Sequence, residues 1–341
     1  MLSAAAALLP VIGLLAALFF MDSFKLVPPR GIALALLAGA AAAVVSFWLW
    51  PSLAVPGMSN AAASRYLAPV LEETLKAAVV VLLLVRGRAG FLVDAAVLGF
   101  SVGTGFALME NVLYLRALPH GTLPLWLVRG FGTAMLHGGT TSIFAILARA
   151  LTDRYVTRPH LAFLAPFVAA VAIHSAFNHL PLPPAGLTAV IMIVLPLLLV
   201  AVFERSERAT REWMGAGMDL DIEVLQLVAS EHFAFTRFGQ YLQELRSRFA
   251  PIVVADMYCL LRLELELSVQ ARAFVMAREA GLELRADDDL AASFAEREYL
   301  QHSIGRTGLL ALRPLQVTNV RDRFHRHLLA RSQDRAPRKR V

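Results

Sequence analysis

The chain is predicted to be an all-α, polytopic helical membrane bundle of about seven transmembrane helices, followed by a C-terminal helical cytoplasmic domain. Three observations predict this. The 341 residues are 57% hydrophobic with a mean hydropathy of +0.61, too apolar for an ordinary soluble domain. Apolar runs of about 20 residues, the length a bilayer core demands, follow one another as far as Phe203. At Glu204 charges become dense, and no clean membrane run follows.

The first run, Ala4 to Phe20, has no basic start and no small-residue cleavage site after it. It therefore reads as a membrane helix and not as a signal peptide. Gly31 to Trp50 is the second run, with Trp48 and Trp50 placed like an interfacial belt. A loop with Pro51, Pro56 and Gly57 leads to the third, Tyr66 to Val85. Arg86-Gly87-Arg88 makes a basic turn before the fourth, Leu92 to Leu115, where Gly99, Gly103 and Gly105 permit close helix contact. Pro119 and Gly121 break the chain. The fifth run is Leu125 to Leu151 and the sixth is Leu161 to Leu180, ended by Pro181, Pro183 and Pro184. Leu187 to Phe203 is the seventh.

Lys25, Arg30, Arg86, Arg88, Arg154 and Arg158 fall on one side of these runs, against Arg65, Arg116 and Arg129 on the other. The positive-inside rule then puts the N-terminus outside and the C-terminus in the cytoplasm. Residues 1–203 form the transmembrane domain, 204–334 a cytoplasmic helical domain, and 335–341 a basic disordered tail. Helices are expected in the cytoplasmic part at Asp219 to Phe249, Pro251 to Ala280, Asp287 to Leu312 and Asn319 to Arg331. This part offers a surface for a cytoplasmic partner or for self-association. The net charge of +6 and pI near 9.9 belong to loops and tail, and no nucleic-acid motif accompanies them, so no nucleic acid is expected. The single Cys259 excludes a disulfide within the chain; in its amphipathic segment a buried apolar thiol is expected.

Polar groups inside the apolar runs carry the functional reading. Glu72, Glu73 and Lys76 lie within the third run, where each charge costs roughly 2.5–3.5 kcal/mol near the bilayer centre. Groups that costly face a protein interior or a wet cavity, with partners. Glu72 and Lys76 are spaced to share a helix face and pair, while Glu73 is turned by about 100° from Glu72. Later runs supply Glu110 and Asn111, then His137 with Thr133, Thr140 and Thr141 nearby, then His174 and Asn178 on one face. Given the orientation above, Glu110, His174 and Asn178 lie near the outer ends of their helices, Glu72 some two turns below the outer surface, and His137 deeper, near the middle. A glutamate with imidazoles in a partly dry cavity can hydrolyse a bond: the carboxylate acts as base on water, and histidine or amide groups hold a metal or an oxyanion. His179, beside Pro181, reads as a surface group. No glycine-rich phosphate loop, CxxC or HExxH motif is present.

The order Glu72-Glu73-x-x-Lys76, Phe106-x-x-x-Glu110-Asn111, an intramembrane His137, then His174-x-x-x-Asn178 resembles the PrsW family of membrane proteases, within the wider group that includes the CAAX prenyl endopeptidases. The resemblance covers about residues 66–180. It implies an intramembrane endopeptidase in a bacterial plasma membrane, cleaving a transmembrane protein such as an anti-sigma-factor-like regulator. By motif, Glu72 matches the glutamate that activates water, and Glu73 and Lys76 the pair that supports it. His174 and Asn178 match the final motif. Glu110 stands where the CAAX enzymes have a histidine. The implied catalytic set is Glu72, Glu73, Glu110, His137, His174 and Asn178, supported by Lys76 and Asn111. A divalent metal such as zinc is an open expectation, with Glu110, His137 and His174 as its candidate ligands. The rivals are a proton-coupled transporter or ion pathway, and a non-catalytic scaffold for the C-terminal domain. The first needs inverted repeats and broken helix pairs, which the sequence lacks.

Overall fold

A computed structural model describes residues 2–22, 26–53, 57–154, 161–179, 183–280, 282, 288–312 and 314–315, with the side chains at 153–154, 209–221, 278–279 and 288–289 outside that description. The described chain is helical throughout and contains no strand. Contacts divide it into two units, Met1–Glu207 and Arg208–Val341.

The first unit is built from α1 (Leu2–Met21), α2 (Pro29–Leu49), α3 (Ala68–Val85), α4 (Leu92–Ala117), α5 (Ala134–Arg154), α6 (Leu161–Asn178) and the start of α7 (Pro184–Ala229). Six segments are long and apolar enough to cross a membrane, ending with Pro184–Arg208. The remaining helix, α3, has the 18 residues of the shortest of them but carries Glu72, Glu73 and Lys76. The protein is a helical membrane bundle.

The layering follows from burial. In the 18 most apolar consecutive residues of the spans containing α4 and α5, 83% and 78% are buried, against 22–28% for the same stretch of α1, α2, α6 and α7. A helix surrounded by others can be small and slightly polar, and α4 is. At Gly103 a Cβ would overlap the carbonyl of His137, and at Gly105 it would overlap that of Leu36. A Cβ at Gly99 would lie 2.7 Å from the Thr141 carbonyl oxygen. These glycines let α2 and α5 close on α4 to backbone contact, as their spacing predicts. The peripheral helices instead present large apolar side chains outward, among them Phe20, Leu37, Phe47, Trp48, Leu164 and Leu197. That is what a lipid-facing surface requires.

Two irregular turns set up the site. One helical turn, Asn60–Ala62, and a π-helical turn, Ala63–Leu67, run into α3. A short helix, Leu123–Val128, and a second π-helical turn, Arg129–Thr133, run into α5. The first turn has a local cause. Pro69 has no N–H, so backbone carbonyls before it lose a helical partner. Asn178 Nδ2 donates to the Ser64 carbonyl (2.9 Å) and Ser175 Oγ to that of Arg65 (2.6 Å), both from α6. The second turn meets α1. Pro10 lies inside α1 and leaves the Ala6 carbonyl without its N–H, and Gly130 packs against that oxygen so closely that a Cβ would overlap it.

The opposite end of the bundle holds buried charges that periodicity did not single out. Asp94 Oδ2 accepts the backbone N–H of Phe91 (2.8 Å) and Gly90 (3.0 Å), capping α4. Arg149 donates to the Gly90 carbonyl at 2.7 Å through Nη2.

The second unit packs the end of α7, α8 (Arg237–Leu245), α9 (Pro251–Glu279) and α10 (Asp288–Leu312) around Leu242, Met257, Leu260, Leu267 and Ile304. Tyr258 Oη donates to the Val228 carbonyl and Tyr241 Oη to that of Ala311, each at 2.8 Å. Instead of one amphipathic helix from Asp219 to Phe249, the chain breaks at Ser230, turns through Glu231–Phe235, and restarts as α8 with Thr236 as cap. Gly305, at φ 68°, interrupts α10. Cys259 is exposed, not buried: it falls on the outer face of α9, between core residues Met257 and Leu260. The expected helix Asn319 to Arg331 and the tail 335–341 lie outside the described residues.

Candidate active site

The in-membrane polar groups meet. A cavity of about 500 Å³ is lined by Glu72, Glu110, His137, His174 and Asn178, together with Phe106, Arg129 and Thr133. Its remaining wall is mostly apolar and includes Phe47, Trp50 and Phe177.

Glu73 is the hub beneath this cavity. It is 2% exposed, and its Oε1 accepts from Lys76 Nζ (2.6 Å), His174 Nδ1 (2.8 Å) and Thr140 Oγ1 (3.3 Å). Lys76 is wholly buried; besides Glu73, its Nζ meets His137 Nδ1 at 3.1 Å and lies 5.0 Å from the Phe106 ring centre. The expected Glu72–Lys76 pair is therefore replaced by Glu73–Lys76. Both spacings suit a helix. Glu73 wins because α5 and α6 bring Thr140 and His174 to the same oxygen, so a buried carboxylate there is satisfied several times over.

The two imidazoles are wired alike. Glu73 accepts from His174 Nδ1, which leaves the lone pair on Nε2. Glu110 Oε2 accepts from His137 Nε2 at 2.9 Å, which leaves the lone pair on Nδ1, where Lys76 donates. Each histidine is thus held by a carboxylate on one nitrogen, and its other nitrogen lies 3.9 Å from Glu72 Oε2. The rings sit edge to face, 5.0 Å between centres. Glu72 differs from its neighbour. It is 17% exposed, and its Oε2 is buried with no hydrogen-bond partner among the described residues. A carboxylate oxygen left bare between two histidines is chemically available.

Glu72, His137 and His174 also form a group of metal-ligand character, with ligand atoms within 4.8 Å of one another. The donor set fits a divalent ion such as zinc: one bare carboxylate oxygen and two imidazoles, each oriented by a carboxylate behind it. Glu72 stands in this trio where Glu110 was expected. Glu110 sits instead on the far nitrogen of His137.

Asn178 lines the cavity, but its amide donates to Ser64. Asn111 supports from behind, with Nδ2 donating to the Ala7 carbonyl (2.8 Å) and Oδ1 accepting from Arg129 Nε (2.9 Å). His179 bonds Tyr66 Oη and the Ser175 carbonyl, away from the trio. Arg129 is the member that sequence reading missed. Counted as an outer-loop charge, it lies on the wall of the cavity, with Nη2 3.3 Å from Glu110 Oε1. The available signal was its place two turns before His137, at the head of the same apolar run.

The family model described as PrsW family intramembrane metalloprotease matches residues 27–203, more than half of the chain and every residue of the cavity. No curated protein and no solved structure matches the chain. With membrane-length helices around a buried glutamate–histidine cavity, the chain belongs to the PrsW family of intramembrane metalloproteases.

Proposed function

We propose that the cavity cleaves a membrane-bound protein with water activated by Glu72. The observation that carries this is the bare Glu72 Oε2, buried between His137 and His174 on the cavity wall. In this reading Glu72 takes a proton from water as the water oxygen attacks the peptide carbonyl, and returns it to the leaving amine. Glu73 holds His174 with its Nε2 toward Glu72, and Glu110 holds His137, whose Nδ1 lies between Glu72 and the Lys76 ammonium that donates to it. Lys76 and Thr140 keep Glu73 in place. Phe47, Trp50 and Phe177 give the cavity an apolar side suited to a transmembrane segment.

Glu72, His137 and His174 are the residues that would hold a divalent cation such as zinc, and a Glu72 oxygen engaged by the ion would not also be the one that takes the proton. When bound, such an ion polarises a carbonyl and lowers the pKa of its water to about 7. Purified full-length protein is expected to contain about one zinc per chain, lost with His174→Ala, as read by elemental analysis. Thorough chelation is expected to stop cleavage of a labelled single-span membrane peptide, and added zinc to restore it. Cleavage that survives chelation but not Glu72→Gln assigns the chemistry to the glutamate alone. Cleavage untouched by either overturns the reading.

The substrate class we infer is a transmembrane regulator of the anti-sigma-factor kind. Its support is the resemblance together with the position of the cavity near one end of the bundle. We further infer a bacterial plasma membrane, with the N-terminus outside, residues 204–334 in the cytoplasm, and the cavity in the outer half. The Lys and Arg asymmetry of the loops supports this. A reporter fused after Arg331 is expected to be active only in the cytoplasm; activity only outside would invert the topology and move the cavity to the inner half.

A further inference from the structure

We propose that Arg129 is the catalytic residue that binds the scissile carbonyl oxygen and stabilises the oxyanion formed there. The inference rests on the protease reading above and adds a residue to it. The need is physical. The site holds three carboxylates, Glu72, Glu73 and Glu110, against two permanent cations, Lys76 and Arg129. When water attacks, a C–O bond forms and the carbonyl electron pair moves onto oxygen. A new negative charge then appears close to these carboxylates. It requires a donor that is fixed beforehand and faces the cavity.

The other candidates are engaged in part or are neutral. Asn178, whose amide has the chemistry for this role, gives one of its two N–H groups to the Ser64 carbonyl at 2.9 Å and carries no charge to offset an oxyanion. Lys76 is wholly buried and divides its ammonium between Glu73 and His137. Arg129 is the one cationic side chain on the cavity wall among the described residues.

Its guanidinium is also held still. Nε donates to Asn111 Oδ1 at 2.9 Å, and the guanidinium carbon lies over Tyr114, 3.7 Å from the ring centre. Asn111 is in turn fixed to α1 through the Ala7 carbonyl. Nη2 lies 3.3 Å from Glu110 Oε1, an ion pair without the alignment of a hydrogen bond, so this buried nitrogen keeps N–H capacity to give. Arg129 is the first residue of the π-helical turn that runs into α5. A rigid fork with a spare donor suits a developing oxyanion, and it is already ordered before substrate arrives. On collapse the C–N bond breaks, the electron pair returns to the carbonyl, and Glu72 protonates the amine.

The test uses full-length protein in bicelles and a fluorogenic single-span peptide. Wild type and Glu72→Gln come first. If cleavage does not depend on Glu72, the protease reading fails and this inference with it. If it does, Arg129→Gln is expected to lower kcat about 100-fold, the effect of removing one oxyanion donor, with KM nearly unchanged. Arg129→Lys keeps the charge beside Glu110 but loses the planar fork, and kcat is expected to fall at least about tenfold. A purely structural role predicts otherwise. If Arg129 serves only to neutralise Glu110, then Glu110→Gln combined with Arg129→Gln recovers the rate of Glu110→Gln alone. Such recovery overturns the proposal, as does near-wild-type kcat in Arg129→Lys, or a loss confined to KM. Should Arg129→Gln not yield monodisperse protein, Arg129→Lys and the double variant decide between these outcomes.

Discussion

Glu72→Gln is expected to lower proteolysis at least about 100-fold, the lower end for loss of a general base, while the protein inserts and folds normally. Glutamine keeps the shape and the carbonyl oxygen but cannot take a proton from water. The stability side follows from what Glu72 touches. Its Oε2 has no hydrogen-bond partner, so that oxygen gives up no bond on substitution. A neutral amide also costs less to bury than a carboxylate. Melting temperature of the metal-free protein in detergent is therefore expected to hold or rise as activity collapses. Full activity in Glu72→Gln ends the proposed mechanism. A protein that no longer folds would mean Glu72 has a structural partner that the geometry lacks.

Glu73→Ala is expected to do the reverse, striking the fold first. Glu73 and Lys76 are 2% and 0% exposed and meet at 2.6 Å. Removing one member of a buried pair strands the other, at a cost of about 3–5 kcal/mol. His174 Nδ1 loses its acceptor in the same step, while Thr140 keeps the His137 carbonyl. Activity should vanish along with stability, because His174 is released from the carboxylate that sets its tautomer. Glu73→Gln keeps an acceptor and should cost less, with activity falling about 10–100-fold. Thermal unfolding of Glu73→Ala and Glu73→Gln beside Glu72→Gln makes the measurement. Equal melting temperatures in all three would show that Lys76 is not stranded and that Glu73 is not the hub.

These opposite expectations for adjacent glutamates show what the sequence could carry. That Glu72 and Glu73 face different surroundings was legible, because neighbouring residues on a helix point about 100° apart. The close approach at Gly99, Gly103 and Gly105 was legible too, since small residues at helical spacing mark contact. Which glutamate Lys76 takes was not legible. Spacings of three and four both suit a helix, and Thr140 and His174, from other helices, decide between them. Arg129 was hidden for a related reason: a basic residue near a span end counts toward topology, and only the fold turns it inward toward Glu110. Asp94 and Arg149 were overlooked in a run that reads as apolar. The break at Ser230 has no proline or glycine to announce it; Phe233, buried there in the second unit's core, settles it through packing. Cys259 went wrong through one helix position, since its neighbours Met257 and Leu260 are the ones turned inward.

The π-helical turns before α3 and α5 reach beyond geometry. A helix is a screw thread, and each residue added or removed rotates all that follows by about 100°. A π-helical turn is a place where one surplus residue is absorbed into the thread. Glu72, Glu73 and Lys76 lie downstream of one such turn, and His137 lies downstream of the other. Their aim is therefore set by a count of residues as much as by their chemistry. Substitutions along these helices change one side chain at a time, but an insertion or deletion between a turn and its site would swing the whole set off the cavity together. An insertion in the loops between helices leaves the screw phase of each helix, and so the aim of these side chains, unchanged.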